Sequence, residues 1–111
     1  MTDSDLPEEI TVQELARWRA DGKELTLLDV RNGWELEICR FADGLAIPLS
    51  ELPQRVAEVP RDRPLVVLCH HGARSERAVQ WLQHVGVTNA LNLAGGIDAW
   101  AREIDQSMGV Y

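Results

Sequence analysis

Short apolar segments alternate with amphipathic ones along the whole chain, and this alternation constrains the fold more than any other feature. Four apolar segments are predicted as strands: LTLLDV (25–30), GLAIPL (44–49), PLVVLC (64–69) and ALNL (90–93). Alternation of strands and helices is the signature of a parallel α/β sheet. With 111 residues, the chain is long enough for one such domain around a core that needs no disulfide or metal.

The segments between and after these strands have apolar residues at helical spacing. Thr11 to Glu14 (TVQE) fits a capping box, and the helix that it begins is expected to stop at Asp21-Gly22. Ser50 is predicted to cap a helix that Pro60 ends. Three further helices are predicted near residues 34–38, 74–85 and 97–104.

The overall composition excludes several classes of protein. Hydrophobic residues make up 45% of the chain and charged residues 26%, which is typical of a soluble globular domain. The net charge of −7 argues against a nucleic-acid-binding surface. No apolar run approaches the roughly 18 residues of a membrane helix. The acidic start MTDSDLPEEI does not resemble a signal peptide, and two cysteines make no disulfide framework, so a cytoplasmic location is expected.

Cys69 stands at the end of the most apolar, and hence most central, predicted strand. Binding sites of open α/β sheets lie beyond the carboxyl ends of the strands. In the following stretch, CHHGARS, Gly72 allows backbone amides to converge, and the next helix starts within a few residues. Such amides and the helix dipole favour an anion, here the thiolate of Cys69, and Arg74 adds a positive charge.

Each of these residues also has an ordinary structural interpretation. Most free cysteines behave as small buried hydrophobic residues. Arg74 alone is compatible with a surface charge, and Ser75 alone with a helix cap. The combination of Cys69, Gly72, Arg74 and Ser75 at short spacing in an otherwise acidic chain favours a nucleophile.

Four segments of the chain resemble the rhodanese family. CHHGARS (69–75) is similar to its active-site loop in the Cys-x-x-Gly-x-Arg-Ser form of bacterial single-domain members. LLDVRNGWELE (27–37), AIPLSEL (46–52) and NLAGGIDAW (92–100) resemble three further family segments in the same order. The resemblance spans residues 10–105, leaving an N-terminal segment (1–9) and a C-terminal tail (106–111). It implies a three-layer α/β/α domain with a five-stranded parallel sheet.

The resemblance also implies an activity, sulfur transfer through a cysteine persulfide. Cys69 attacks the outer sulfur of thiosulfate or a similar small donor and passes that sulfur to a thiol, cyanide or a protein acceptor. Cys69 and Arg74 are then the catalytic residues, and the amides of residues 70–74 surround the sulfur. The predicted substrate-binding residues are His70, His71, Gly72, Ala73, Ser75 and Arg31. No cofactor is expected.

The two loop histidines allow two interpretations. They either form a pH-dependent positive rim for anionic donors, or are exposed side chains whose amides alone matter. A metal site formed by Cys69, His70, His71 and His84 is not expected, because adjacent histidines rarely both reach one ion and no zinc spacing is present.

Residues outside the loop are assigned mainly structural roles. Asp29 and Glu35 are expected to pair with arginines and hold the loops. Arg31 follows a strand whose end faces the same way as Cys69, so a place at the mouth of the pocket and a structural role both stay open. Cys39 is expected to be a packed thiol.

Loop length separates sulfur transfer from its nearest rival. Phosphatases and arsenate reductases of similar fold have Cys-x5-Arg loops, whereas here four residues separate Cys69 from Arg74. The smaller loop suits a single sulfur atom. Two alternatives remain: a persulfide carrier that receives sulfur from a partner in a protein relay, and a non-catalytic binding module, against which the presence of Cys69 and Arg74 counts.

Overall fold

The computed structural model of the chain describes residues 8–111. Residues 1–7, which make up most of the predicted N-terminal segment and of the acidic start MTDSDLPEEI, lie outside the described residues. The described part contains five strands: β1 (Glu9–Ile10), β2 (Thr26–Asp29), β3 (Leu45–Ala46), β4 (Leu65–Leu68) and β5 (Ala90–Leu93). They form one sheet in the order β1-β5-β4-β2-β3, and every neighbouring pair is parallel. The predicted five-stranded parallel sheet is confirmed.

Five α-helices accompany the sheet: α1 (Val12–Ala20), α2 (Gly33–Ile38), α3 (Leu52–Arg55), α4 (Ala73–His84) and α5 (Gly96–Glu103). Helix α1 begins with the predicted capping box, because the Glu14 amide donates to Thr11 Oγ1 and the Thr11 amide to Glu14 Oε1, each at 3.1 Å. Within residues 8–111, no helix combines the length and apolar character that a bilayer-spanning segment needs.

The central position predicted for the most apolar segment is confirmed, since β4 is the third of the five strands in the sheet. All four residues of β4 are buried, as a strand covered on both faces requires. Val67 packs into a cluster that α3 and α4 cover, and Val66 into a second cluster under α1 and α5. The alternating side chains therefore give two cores, one on each face of the sheet.

Two details differ from the sequence predictions. Ser50 caps no helix: it lies inside a 3₁₀ turn (Leu49–Glu51), and α3 starts only at Leu52, with Glu51 as its N-cap. A second 3₁₀ turn (Val56–Glu58) follows α3, so the predicted continuous helix is divided into three short pieces. The strand predicted over 44–49 is confined to β3, and the chain enters the 3₁₀ turn directly after Pro48.

Candidate active site

Cys69 is the first residue after β4, and the short segment Cys69–Gly72 leads directly into α4. Gly72 is the N-cap of α4 and has φ of +113°, a conformation that strongly favours glycine. A side chain with a Cβ is strained at this φ, so the glycine is needed for the sharp turn from strand to helix. The turn brings the amides of Gly72 and Ser75, which have no partner within the helix, towards Cys69.

Three groups lie within hydrogen-bonding distance of the Cys69 sulfur. The amide nitrogen of Gly72 donates at 3.1 Å and that of Ser75 at 3.4 Å, while Ser75 Oγ lies at 3.3 Å. The hydroxyl has one proton, and it also lies close to the Gly72 carbonyl and to Asn92 Oδ1. The two amides are therefore the permanent donors to the sulfur.

The convergence of amides on Cys69 agrees with the sequence analysis, but one of the donors differs. The prediction placed them in residues 70–74, whereas in the described residues the Sγ bonds come from Gly72 and Ser75. Cys69 is 2% exposed and also packs in the apolar cluster on the α4 side of the sheet. Its sulfur is thus a buried atom whose polar neighbours are two backbone N–H groups and a hydroxyl.

Backbone contacts with α5 fix the position of the segment Cys69–Gly72, called here the Cys69 loop. The Ile97 amide donates to the Cys69 carbonyl at 2.9 Å, and the Asp98 amide to the His70 carbonyl at 3.0 Å. Gly96, with φ of +63°, comes so close to both carbonyl groups that a Cβ there would overlap them. The glycine-rich start of α5 therefore positions the loop from the opposite side to α4.

Arg74 is held by Glu35, as was expected for that carboxylate. Its two terminal nitrogens reach the two carboxylate oxygens at 2.6 and 2.7 Å, a bidentate geometry. Glu35 is 2% exposed, and Arg74 lowers the pKa of its carboxyl from 4.5 to about 2. About a third of the Arg74 side chain remains exposed, while both terminal nitrogens of its guanidinium bind the buried carboxylate.

Arg31 lies deeper than the mouth of the pocket, which was one of the two positions left open by the sequence. It is fully buried, with Nε and Nη2 donating to Asp29 at 2.7 to 3.1 Å and Nη2 also to the Cys39 carbonyl at 2.7 Å. Nη1 donates to the hydroxyl of Tyr111 at 3.0 Å. This set of partners argues for a positioning role of Arg31 and against direct contact with a substrate. Asp29 pairs with an arginine as expected, and Cys39 is buried.

Comparison with known proteins decides the family. The sequence model of the rhodanese-like domain family matches residues 11–103 of the chain. The chain belongs to the rhodanese family. It is 39% identical over 94 residues to a sulfurtransferase from Allochromatium vinosum, covering 85% of this chain and 88% of that protein. The relatives therefore support sulfur transfer as the general activity.

A second relative is much longer than this rhodanese-like domain. It is an adenylyltransferase and sulfurtransferase of Zea mays, MOCS3-1, which is 37% identical over 115 residues. The match covers 96% of this chain but only a quarter of the maize protein. Among solved structures, a rhodanese-related protein from Thermoplasma volcanium superposes with a TM-score of 0.80 at 34% identity, over 88% of this chain and 94% of that one.

Tyr111 is a residue of this site that sequence reasoning missed. Its hydroxyl donates to Glu35 at 2.6 Å, and its ring stacks on His70 with centroids 3.9 Å apart. Burial, together with the bond to Glu35, raises the pKa of Tyr111 to about 12, so the hydroxyl keeps its proton at neutral pH. Tyr111 thus links the buried Arg31, the partner of Arg74 and the active-site loop.

Asn92 was also missed, although a polar residue within the apolar segment ALNL is a usable signal. It is buried on β5, where its side-chain nitrogen donates to the Gly72 carbonyl at 3.3 Å and its oxygen lies beside the Ser75 hydroxyl. Asn92 therefore supports the turn that aims the amides at Cys69.

Three of the predicted loop residues do not donate to the Cys69 sulfur within residues 8–111: His70, His71 and Ala73. His71 and Ala73 are exposed.

The low pKa of Glu35 gives a prediction for acid stability. Because this pKa falls from 4.5 to about 2 on folding, the carboxylate stabilises the fold fully above pH 4.5 and loses that contribution as the pH falls towards 2. Glu35→Gln should lower the free energy of unfolding by about 3 kcal/mol at pH 7 and by much less near pH 2. Urea denaturation at several pH values measures this difference, with exposed Glu37→Gln as the control. A Glu35→Gln deficit that does not shrink in acid contradicts the role assigned to the pair.

Proposed function

We propose that this chain transfers sulfane sulfur through a persulfide on Cys69, with thiosulfate or a similar small anion as the donor. The observation that carries the proposal is the pair of amides, from Gly72 and Ser75, that point at the Cys69 sulfur at the start of α4. Amide donors at a helix N-terminus favour negative charge, both on the attacking thiolate and on the persulfide that replaces it.

The loading step is a displacement at sulfur. The Cys69 thiolate attacks the outer sulfur of thiosulfate, and a new bond forms between the two sulfur atoms. The S–S bond within thiosulfate breaks, and sulfite leaves with its electron pair. One thiolate and one thiosulfate dianion thus give one persulfide anion and one sulfite dianion, with no change in total charge and no external oxidant.

The second step returns the enzyme to its starting state. The acceptor is a small thiolate, cyanide or a protein thiolate. It attacks the outer sulfur of the persulfide, and Cys69 leaves as the thiolate. This is a ping-pong cycle with a covalent intermediate. In this proposal the half-buried Arg74 guanidinium attracts the anionic donor, and its bidentate bond with Glu35 keeps it at the loop.

Transfer between proteins is a second candidate for the same chemistry. Its support is the similarity to the maize adenylyltransferase and sulfurtransferase, in which a rhodanese-like segment forms part of a larger protein. In this version a partner loads Cys69 directly, and a small donor such as thiosulfate is a poor substitute.

Mapping the transferred sulfur tests the proposal and separates its versions. The chain is incubated with thiosulfate, or with a cysteine desulfurase and cysteine, then alkylated, digested with trypsin and analysed by mass spectrometry. Arg40 and Arg61 lie between the two cysteines, so trypsin places Cys39 and Cys69 in different peptides. Sulfur on the Cys69 peptide from thiosulfate supports the enzyme, and sulfur only from the desulfurase supports the relay. No added sulfur from either source contradicts both and leaves a binding module.

A further inference from the structure

We infer that His70, His71 and Asp98 form a binding site for a divalent transition-metal ion of the zinc type. The site combines two residues of the Cys69 loop with one residue of the first turn of α5. It uses none of the groups that contact the Cys69 sulfur, so it is separate from the proposed sulfur-transfer function.

The three side chains already lie at near-ligating separations. His70 Nε2 is 3.7 Å from Asp98 Oδ1, and His71 Nδ1 is 3.7 Å from Asp98 Oδ2. One ligand atom of each residue lies within 4.8 Å of the others. Tetrahedral Zn²⁺ with bonds of about 2.1 Å sets its ligand atoms about 3.4 Å apart. Each 3.7 Å contact has to shorten by only a few tenths of an ångström, but the two contacts involve different oxygens of Asp98. The carboxylate therefore has to bind through both oxygens or turn one of them towards both imidazoles.

The fold explains why two adjacent histidines reach the same point. The Asp98 amide donates to the His70 carbonyl at 3.0 Å, which ties the loop to the start of α5. The His70 ring is held between two others: its centroid is 3.9 Å from that of Tyr111 and 3.9 Å from that of His71. The sequence argument against a metal, that neighbouring histidines diverge, does not apply to this loop, because both imidazoles approach the Asp98 carboxylate.

An unsatisfied nitrogen provides a second observation. Among residues 8–111, His70 Nε2 is a buried side-chain atom without a hydrogen-bond partner. Its 3.7 Å separation from Asp98 is too long for a hydrogen bond, and a buried polar atom left unpaired is unfavourable. A histidine at the surface does not have this cost. A metal bond to the buried His70 Nε2 removes it.

The remaining contacts of the cluster are compatible with an ion. Arg102 Nε donates to both oxygens of Asp98 at 3.0 and 3.1 Å, which orients the carboxylate. Arg102 is 60% exposed, so its guanidinium is free to move towards water when a cation binds. His71 is 68% exposed and gives an entry path from solvent. Two imidazoles and one carboxylate are donors typical of Zn²⁺ and atypical of Mg²⁺ or Ca²⁺.

Zinc titration of the full chain, without a polyhistidine tag, tests the site. The chain has three histidines, of which His84 is exposed on α4 and outside the cluster. In NMR spectra, Zn²⁺ should shift the imidazole signals of His70 and His71 and leave those of His84 in place. In calorimetry, His71→Ala and Asp98→Asn should each weaken Zn²⁺ binding by more than about tenfold, while His84→Ala should not.

Other outcomes overturn the inference. Absence of Zn²⁺ binding, equal affinity in all three variants, or a shift of His84 alone each removes the proposed site. Binding that disappears in Cys69→Ser also contradicts it, since the thiolate is then the ligand. The NMR measurement needs no variant, so the test stands even if Asp98→Asn disturbs the fold. None of these results depends on whether the chain transfers sulfur.

Discussion

Cys69→Ser should abolish sulfur transfer altogether. Serine keeps the size of the side chain and leaves the Gly72 and Ser75 amides in place, but its hydroxyl stays protonated at neutral pH and is a far weaker nucleophile towards sulfur. We therefore expect no sulfur on the protein after incubation with thiosulfate or a desulfurase, and no turnover in an assay of sulfite release. Urea denaturation should show that the variant is folded.

Cys39→Ser is the matched control for that experiment. Cys39 is the other free thiol, it is buried, and its sulfur lies 3.9 Å from Nη1 of Arg31. We expect this variant to accept sulfur at nearly the wild-type rate. If Cys69→Ser retains the added sulfur and Cys39→Ser loses it, the nucleophile has been assigned to the wrong cysteine.

Gly96→Ala should have the largest effect of any substitution outside the loop itself. A Cβ at this position overlaps the carbonyl oxygens of Cys69 and His70, which are backbone atoms with little freedom to move. Backbone strain and displacement of the loop together should cost about 3 kcal/mol or more. Because the same shift withdraws the loop from α5, sulfur loading should be strongly reduced even where the variant folds.

Gly22→Ala is the control that separates the steric overlap of a Cβ from the effect of a left-handed backbone conformation. Gly22 has φ of +71°, close to the +63° of Gly96, but a Cβ there has no heavy atom within 4 Å. Its cost should be about 1 kcal/mol, the ordinary penalty of a left-handed residue, with sulfur loading unchanged. For both variants, urea denaturation measures the free energy of unfolding, and the rate of sulfur loading measures the effect on the site. Equal effects of the two substitutions would show that Gly96 does not hold the loop.

Local chemistry explains why so much of the architecture follows from the sequence. The capping box at Thr11 and the glycine at the start of α4 act through residues close in sequence, and the apolar run of β4 predicts its central place. Ser50 shows the limit of this reasoning, since it has the composition of a helix cap but is held in a 3₁₀ turn.

Long-range partners could not be predicted in the same way. The sequence predicted that Glu35 pairs with an arginine, but it did not predict that this arginine is Arg74. Tyr111 contacts Glu35 from far along the chain, and no motif surrounds it. The approach of Asp98 to two adjacent histidines depends on how α5 docks on the loop, which no local pattern records.

The stabilisation of negative sulfur by backbone amides is the central claim, and replacing a single N–H tests it most directly. Ser75 is the third residue of α4, so its N–H has no partner within the helix and donates to Cys69 Sγ. An ester in place of this amide removes that donor and keeps the side chains. The chain can be assembled by ligation at Cys69 itself.

We predict that the Ser75 ester slows sulfur loading by about 10- to 100-fold, the effect of losing one hydrogen bond to a charged group. The control is an ester at Arg74, whose amide is not among the donors to the sulfur in residues 8–111. The rate of loading is followed by intact-protein mass spectrometry. Equal rates for the two esters would contradict the account.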